Sequence, residues 1–135
     1  MKEPGVIRLS RFLSHSPARV WRALTEPELV AQWWAPGDVR PIVGHRFALD
    51  MGQWGKQHCQ VTAVEIERLL QYRFALDTTI TWRLTPEREG TLLSLEHSGF
   101  DLDSPLARKA FEGMGNGWPG VLDRLDVTLS GTAGS

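Results

Sequence analysis

The chain has 135 residues, 41% of them hydrophobic and 23% charged, with a formal net charge of −1. That length suits one compact domain, assigned here to residues 1–130 with a disordered tail at 131–135. The near-neutral balance argues against nucleic acid as a partner, because basic residues such as Arg19, Arg83, Arg108 and Lys109 are scattered among acids instead of forming a run.

The opening segment MKEPGVIRLS has no apolar stretch long enough for a signal peptide. No later window approaches the roughly 20 apolar residues of a membrane helix, so a cytoplasmic location without membrane insertion is expected. GVIRLSRFLS (5–14) is rich in β-branched and apolar residues and predicts a first strand. Ser16 followed by Pro17 is an N-cap with proline in the first turn, and Val20, Trp21 and Leu24 follow at helical spacing. Thr25, with Pro27 and with Glu28 three residues on, matches a capping box for a second short helix.

From Gly44 to about Phe100 short strands alternate with turns. HRFALDM, KQHCQVTAVEI, LLQYRFAL, TITWRLT and GTLLSLEHSGF are separated by Gly52/Gly55, Glu67-Arg68, Asp77-Thr78 and Pro86 to Gly90. Leu70, Tyr72, Phe74 and Leu76 share one strand face, as do Ile80, Trp82 and Leu84, and then Leu93, Leu95 and His97. The single cysteine, Cys59, falls in one of these strands and reads as a buried, inert thiol of a reducing compartment.

One apolar face on consecutive antiparallel strands needs a cover. Leu106, Ala110, Phe111, Met114, Trp118, Val121, Leu122, Leu125 and Leu129 recur at three- and four-residue steps and supply it as one long amphipathic helix. GMGNGWPG interrupts that stripe, so a kink at Pro119 is expected, with the glycines allowing close passage over the sheet or a ligand. The order is strand, two short helices, about five strands, long helix, an α+β architecture.

At this point SPARVWRALTEPELVAQWWAP, VGHRF, TWRL…GTLLSLEHSGF and GWPGVLDRL together resemble the Aha1-type (Hsp90 ATPase activator homologue) family of the START-like, or SRPBCC, superfamily. The resemblance runs from about Ile7 to Leu129. It implies the helix-grip fold, in which a curved antiparallel sheet of about six strands grips a long C-terminal helix around a cavity. It also implies a spread of functions, since fold does not dictate function. Relatives of this kind include carriers of lipids, polyketides and plant hormones, some cyclases and dehydratases, and the co-chaperone domain that stimulates Hsp90. That co-chaperone grips Hsp90 through a separate N-terminal domain, for which this chain leaves no length.

The residues offer little chemistry. His15, His45, His58 and His97 fall on different elements, and Cys59 beside His58 faces the other side of its strand, so no metal or other cofactor is expected. Ser94 and Ser98 flank His97 without a nucleophile-elbow pattern, and GMGNGWPG lacks the lysine and hydroxyl residue of a phosphate loop. His97, sharing a face with Leu93 and Leu95, is either a hydrogen-bonded histidine completing the core or an acid–base group in a cavity.

What remains is aromatic. Trp54, Tyr72, Phe74, Trp82, Phe111, Met114 and Trp118 lie on faces expected to look toward the sheet–helix interface, either as plain core or as the lining of an apolar pocket. In AQWWAPG the two adjacent indoles diverge if the helix is regular. At about 100° per residue Trp33 falls about 40° from Leu29 and Trp34 about 140° from it. Trp33 is therefore the expected core anchor and Trp34 the expected cavity rim. The expected function is binding of a small hydrophobic molecule by Trp34, Trp54, Tyr72, Phe74, Trp82, His97, Phe111, Met114 and Trp118, with no catalytic residue. An Hsp90-type chaperone modulator and a cavity-based cyclase or dehydratase are the alternatives. The oligomeric state is open.

Overall fold

A computed structural model describes residues 5–131. Strand β1 (Ile7–Leu13) leads into α1 (Pro17–Thr25) and α2 (Pro27–Trp33). Strands β2 (Arg46–Asp50), β3 (Lys56–Glu65), β4 (Leu69–Phe74), β5 (Thr78–Glu87) and β6 (Gly90–Ser98) follow, and α3 (Pro105–Gly131) ends the described chain. The six strands form one antiparallel sheet in the order β1-β6-β5-β4-β3-β2. β1 and β2 are thus opposite edges, and α1 and α2 carry the chain from one edge to the other. This is the α+β helix-grip architecture, with two early helices and a long C-terminal one.

Alternation decides which face is covered. Phe47, Leu49, Cys59, Val61, Leu70, Tyr72, Phe74, Ile80, Trp82, Leu84, Leu93, Leu95 and His97 are all buried. Register lines them up across strands, with Val61 opposite Tyr72, Tyr72 opposite Ile80, Ile80 opposite His97 and Trp82 opposite Leu95. A β-bulge between Val61 and Ala63 adds a residue to β3, which bends and twists the sheet there. Glu96 faces outward and pairs with Arg8 on the neighbouring strand.

Ser16 caps α1 by accepting from the Arg19 N–H at 3.2 Å, with Pro17 in the first turn. The expected capping box does not form. Thr25 is the last residue of α1 and its hydroxyl donates to the Trp21 carbonyl, so Glu26 takes the N-cap position of α2 without a side-chain bond. Helix α1 runs one residue into the expected box because Thr25 is buried against the fold while its hydroxyl satisfies a carbonyl of its own helix. The hairpin turn expected within Pro86 to Gly90 falls at Arg88-Glu89, with Pro86 still paired opposite Thr91.

Helix α3 departs from expectation at its glycines. It is helical without interruption from Pro105 to Gly131 even though Pro119 lies inside it. Its glycines are not sites of close approach. A Cβ added at Gly113 or Gly117 would meet nothing within 4 Å, and one at Gly115 only the tip of Ile7. Close approaches lie elsewhere, among them Gly37, where a Cβ would meet the Ala48 carbonyl at 2.5 Å as the chain bridges to Leu49. Of the tail expected at 131–135, Gly131 closes α3 and the rest falls outside the described residues. No helix among the described residues is long and apolar enough to cross a membrane.

Candidate functional site

Four indoles meet between the sheet and its helices. Trp33 packs edge-on to Trp82 (5.7 Å, 90°), Trp82 edge-on to Trp118 (5.7 Å, 83°), Trp118 against Trp34 (5.2 Å), and Trp34 stacks on Trp33 (5.8 Å, 21°). The ring closes although Trp33 and Trp34 are adjacent. Trp34 is the C-cap of α2, with φ −134° and ψ −81°, so the chain has left the helix and the two indoles lie nearly parallel instead of diverging.

Three members of that ring are core. Trp33, 1% exposed, donates its Nε1–H to the Ala23 carbonyl at 2.8 Å and so ties α2 to α1. Trp82 donates to the Tyr72 hydroxyl at 2.9 Å, and burial pushes the Tyr72 phenol well above its ordinary pKa. Trp118 donates to His97 Nδ1 at 3.1 Å. Trp34 differs: it is partly buried, and its indole N–H has no acceptor among the described residues.

His97 is sealed. Its ring is 0% exposed, and because Nδ1 accepts from Trp118, Nε2 carries the hydrogen and donates to Thr78 Oγ1 at 2.9 Å. Thr78 passes its own hydroxyl hydrogen to the Ala75 carbonyl at 2.7 Å. Every donor and acceptor in this relay is used, and burial lowers the imidazole pKa to about 3. The group is a neutral, hydrogen-bonded component of the core, with no lone pair or proton free for a substrate.

Open space lies to one side of the indole ring. A half-open pocket of about 320 Å³ is lined by Trp34, Met51, Met114, Trp118 and Val121, with Asp50, Gly52, Gly117 and Arg124 around it. It sits where the end of edge strand β2 and the following turn face α3, and not under the middle of the sheet, which the indoles fill. Asp50 uses one oxygen to cap the Gly52 N–H, and Arg124 uses its Nε–H to hold the Trp33 carbonyl at 3.3 Å. A second, more polar depression of about 520 Å³ is bounded by Arg46, Phe47, His58, Cys59, Gln60, Arg73, Phe74 and Asp77. Burial pushes the Cys59 thiol up to about 12, which keeps it protonated and unreactive at neutral pH.

The expected site residues therefore separate. Trp34, Met114 and Trp118 come together at the first pocket, and Phe74 reaches the second. Tyr72, Trp82 and His97 are packed behind them, and Phe111 is partly buried against Phe100 at 5.3 Å. Trp54 does not face the sheet–helix interface. It ends the 3₁₀ turn Gly52–Trp54 and is 71% exposed, because the chain curls out of strand geometry there and strand alternation no longer sets its direction. Asp50, Met51 and Arg124 escaped sequence reasoning. Asp50 and Met51 sit at a strand end, and Arg124 looks like any polar helix residue until α2 is seen beneath it. Among the described residues no group of three His, Cys, Asp or Glu side chains could hold a metal ion.

Residues 14–130 match the family described as Activator of Hsp90 ATPase homolog 1-like protein. Protein MLL2253 from Mesorhizobium loti is similar at 37% identity and TM-score 0.86, over 94% of this chain and 98% of that one. DynU16, from the dynemicin biosynthetic locus, is similar in fold at 23% identity and TM-score 0.81, over 93% of this chain and 47% of its own. The Aha1 dimer from Colwellia psychrerythraea shares the fold at 18% identity and TM-score 0.77, over 92% of this chain and 95% of that one. No curated protein matches the chain.

Proposed function

We infer that this chain, which belongs to the Activator of Hsp90 ATPase homolog 1-like family, binds a small, largely hydrophobic molecule in the pocket beside Trp34. One observation carries the reading: an apolar recess of about 320 Å³, walled by two indoles and two methionines, beside the packed indole ring. Its volume lies at the low end of the range for ligand pockets, which favours a one- or two-ring molecule. Flat indole faces offer stacking area, and Met51 and Met114 adapt their shape to what they contact. Tyr72, Trp82 and His97 back that wall as packed support.

A cyclase or dehydratase reading has lost its motive, because both His97 nitrogens are occupied and the ring is sealed. Modulation of an Hsp90-type chaperone through the outer surface keeps the support of the family match. No effect on the ATPase rate of a homologous Hsp90 would end that second reading.

Ligand binding predicts stabilisation, about 2.7 kcal/mol at a free concentration one hundred times the Kd. A thermal-shift screen of lipids, flavonoids and polyketide-like aromatics is expected to raise the Tm and quench tryptophan fluorescence for some members. Trp34→Ala is expected to weaken that response by tenfold or more while the protein stays folded. If the whole screen leaves both Tm and fluorescence unmoved, the reading fails.

A further inference from the structure

The polar atoms around the pocket specify more than its apolar wall does. Arg124 spends one of its five donors on the Trp33 carbonyl at the end of α2, which holds the guanidinium in place. Its terminal nitrogens form no hydrogen bond or ion pair among the described residues. Asp50 spends one oxygen on the Gly52 N–H and leaves the other without a partner among the described residues. Both line the same recess, yet they form no ion pair with each other. The Trp34 N–H is a third unused group, whereas Trp33, Trp82 and Trp118 each donate inside the protein.

This arrangement presents donors and one acceptor beside an apolar floor, with the two formal charges cancelling. A carboxylate would gain from Arg124 and be repelled by Asp50. A purely hydrocarbon ligand would cover both charged groups without replacing their water, which costs affinity. A molecule with an acceptor oxygen at one edge and a hydroxyl at another satisfies both. The geometry points to a neutral hydroxyaryl carbonyl compound of one or two rings, with its carbonyl oxygen on Arg124, its hydroxyl on Asp50 and its ring against Trp34. This inference rests on the pocket reading above and names the chemistry of its ligand.

Isothermal titration of the full chain with four naphthalenes isolates each contact: acetylnaphthol carries both groups, acetylnaphthalene only the carbonyl, ethylnaphthol only the hydroxyl, and ethylnaphthalene neither. Hydroxynaphthoate supplies the anionic counterpart. Acetylnaphthol is expected to bind wild type about tenfold more tightly than either singly substituted compound. Arg124→Met is expected to erase the advantage of the carbonyl and keep that of the hydroxyl, and Asp50→Asn the reverse. Because the wild-type series alone tests the preference, poor folding of a variant would not shelter the proposal. Equal binding of all four, or tenfold tighter binding of hydroxynaphthoate than of acetylnaphthol, overturns the head-group inference and leaves the pocket standing. No binding by any of the five overturns both.

Discussion

The two halves of α3 are covered by the same sheet on different terms. From Trp118 to Leu129 the helix buries Trp118, Val121, Leu122, Leu125, Thr128 and Leu129, and only there is it gripped. From Pro105 to Gly117 only Ala107 is buried; Ala110, Phe111 and Met114 are partly covered, and glycines occupy 113, 115 and 117 with room around them. The gripped half holds most of the buried residues of α3, and the pocket straddles the boundary between the halves, lined by Met114 and Gly117 on the loose side and by Trp118, Val121 and Arg124 on the gripped side. A helix that bound the sheet evenly along its length would leave no room for a ligand.

The largest test of that contrast is in the gripped half. Trp118→Ala is expected to cost about 3–5 kcal/mol in urea unfolding, and Leu125→Ala about 2–5 kcal/mol. The tryptophan change also strips His97 Nδ1 of its donor. A cost below about 1 kcal/mol for either would mean that this half is not gripped.

Acidity probes the same half through His97. The unfolded chain takes up a proton near pH 6.5, whereas the buried ring resists until about pH 3. Between those values the unfolded state binds more protons, so stability falls as the pH falls, by up to about 1.4 kcal/mol per unit from this group. It is fully retained above pH 7. Unfolding free energies from pH 7 to 4 should show this slope in wild type and a shallower one in His97→Gln. Identical slopes would show that the imidazole is not sealed.

In the loose half the effects shrink. Phe111→Ala is expected to cost about 1 kcal/mol, a fraction of a fully buried aromatic, since its ring rests mainly on Phe100. If it matched Trp118→Ala, the contrast between the halves would be gone. The smallest changes sharpen it. Gly113→Ala and Gly117→Ala should each stabilise by about 0.5–1 kcal/mol, because alanine is the better helix former and neither new methyl meets a neighbour. Only Gly117 lines the pocket, so only its variant should also weaken ligand binding.

Much of this was legible in the chain. Leu70, Tyr72 and Phe74, then Ile80, Trp82 and Leu84, then Leu93, Leu95 and His97 announced a one-sided sheet, because strand side chains alternate whatever lies around them. Ser16-Pro17 announced α1 for an equally local reason. The site was less legible. Trp34 and Met114 do line the pocket, Met114 as part of an apolar stripe that the sequence shows, but Trp34 only because it leaves α2 at its C-cap, which a regular helix would not predict. Trp54 was misread because an indole between two strands was assigned to the buried face, whereas the chain leaves strand geometry at Gly52, where the backbone turns to φ +64°. The glycines of α3 were misread as close-approach positions because composition records that a side chain is missing and not what stands opposite it.

Local rules of period and capping let the sequence by itself determine most of the elements and the face each strand buries, and four motif blocks in order carried the family resemblance. Only the tertiary structure decided that Trp33 and Trp34 stack, that His97 is shut between Trp118 and Thr78, and that Asp50 and Arg124 meet at one recess. Those outcomes depend on which elements become neighbours across 74 positions of chain between Asp50 and Arg124. They depend equally on how completely bulky side chains fill the space left between a bent sheet and the helix across it, and neither is a property of any short stretch of sequence.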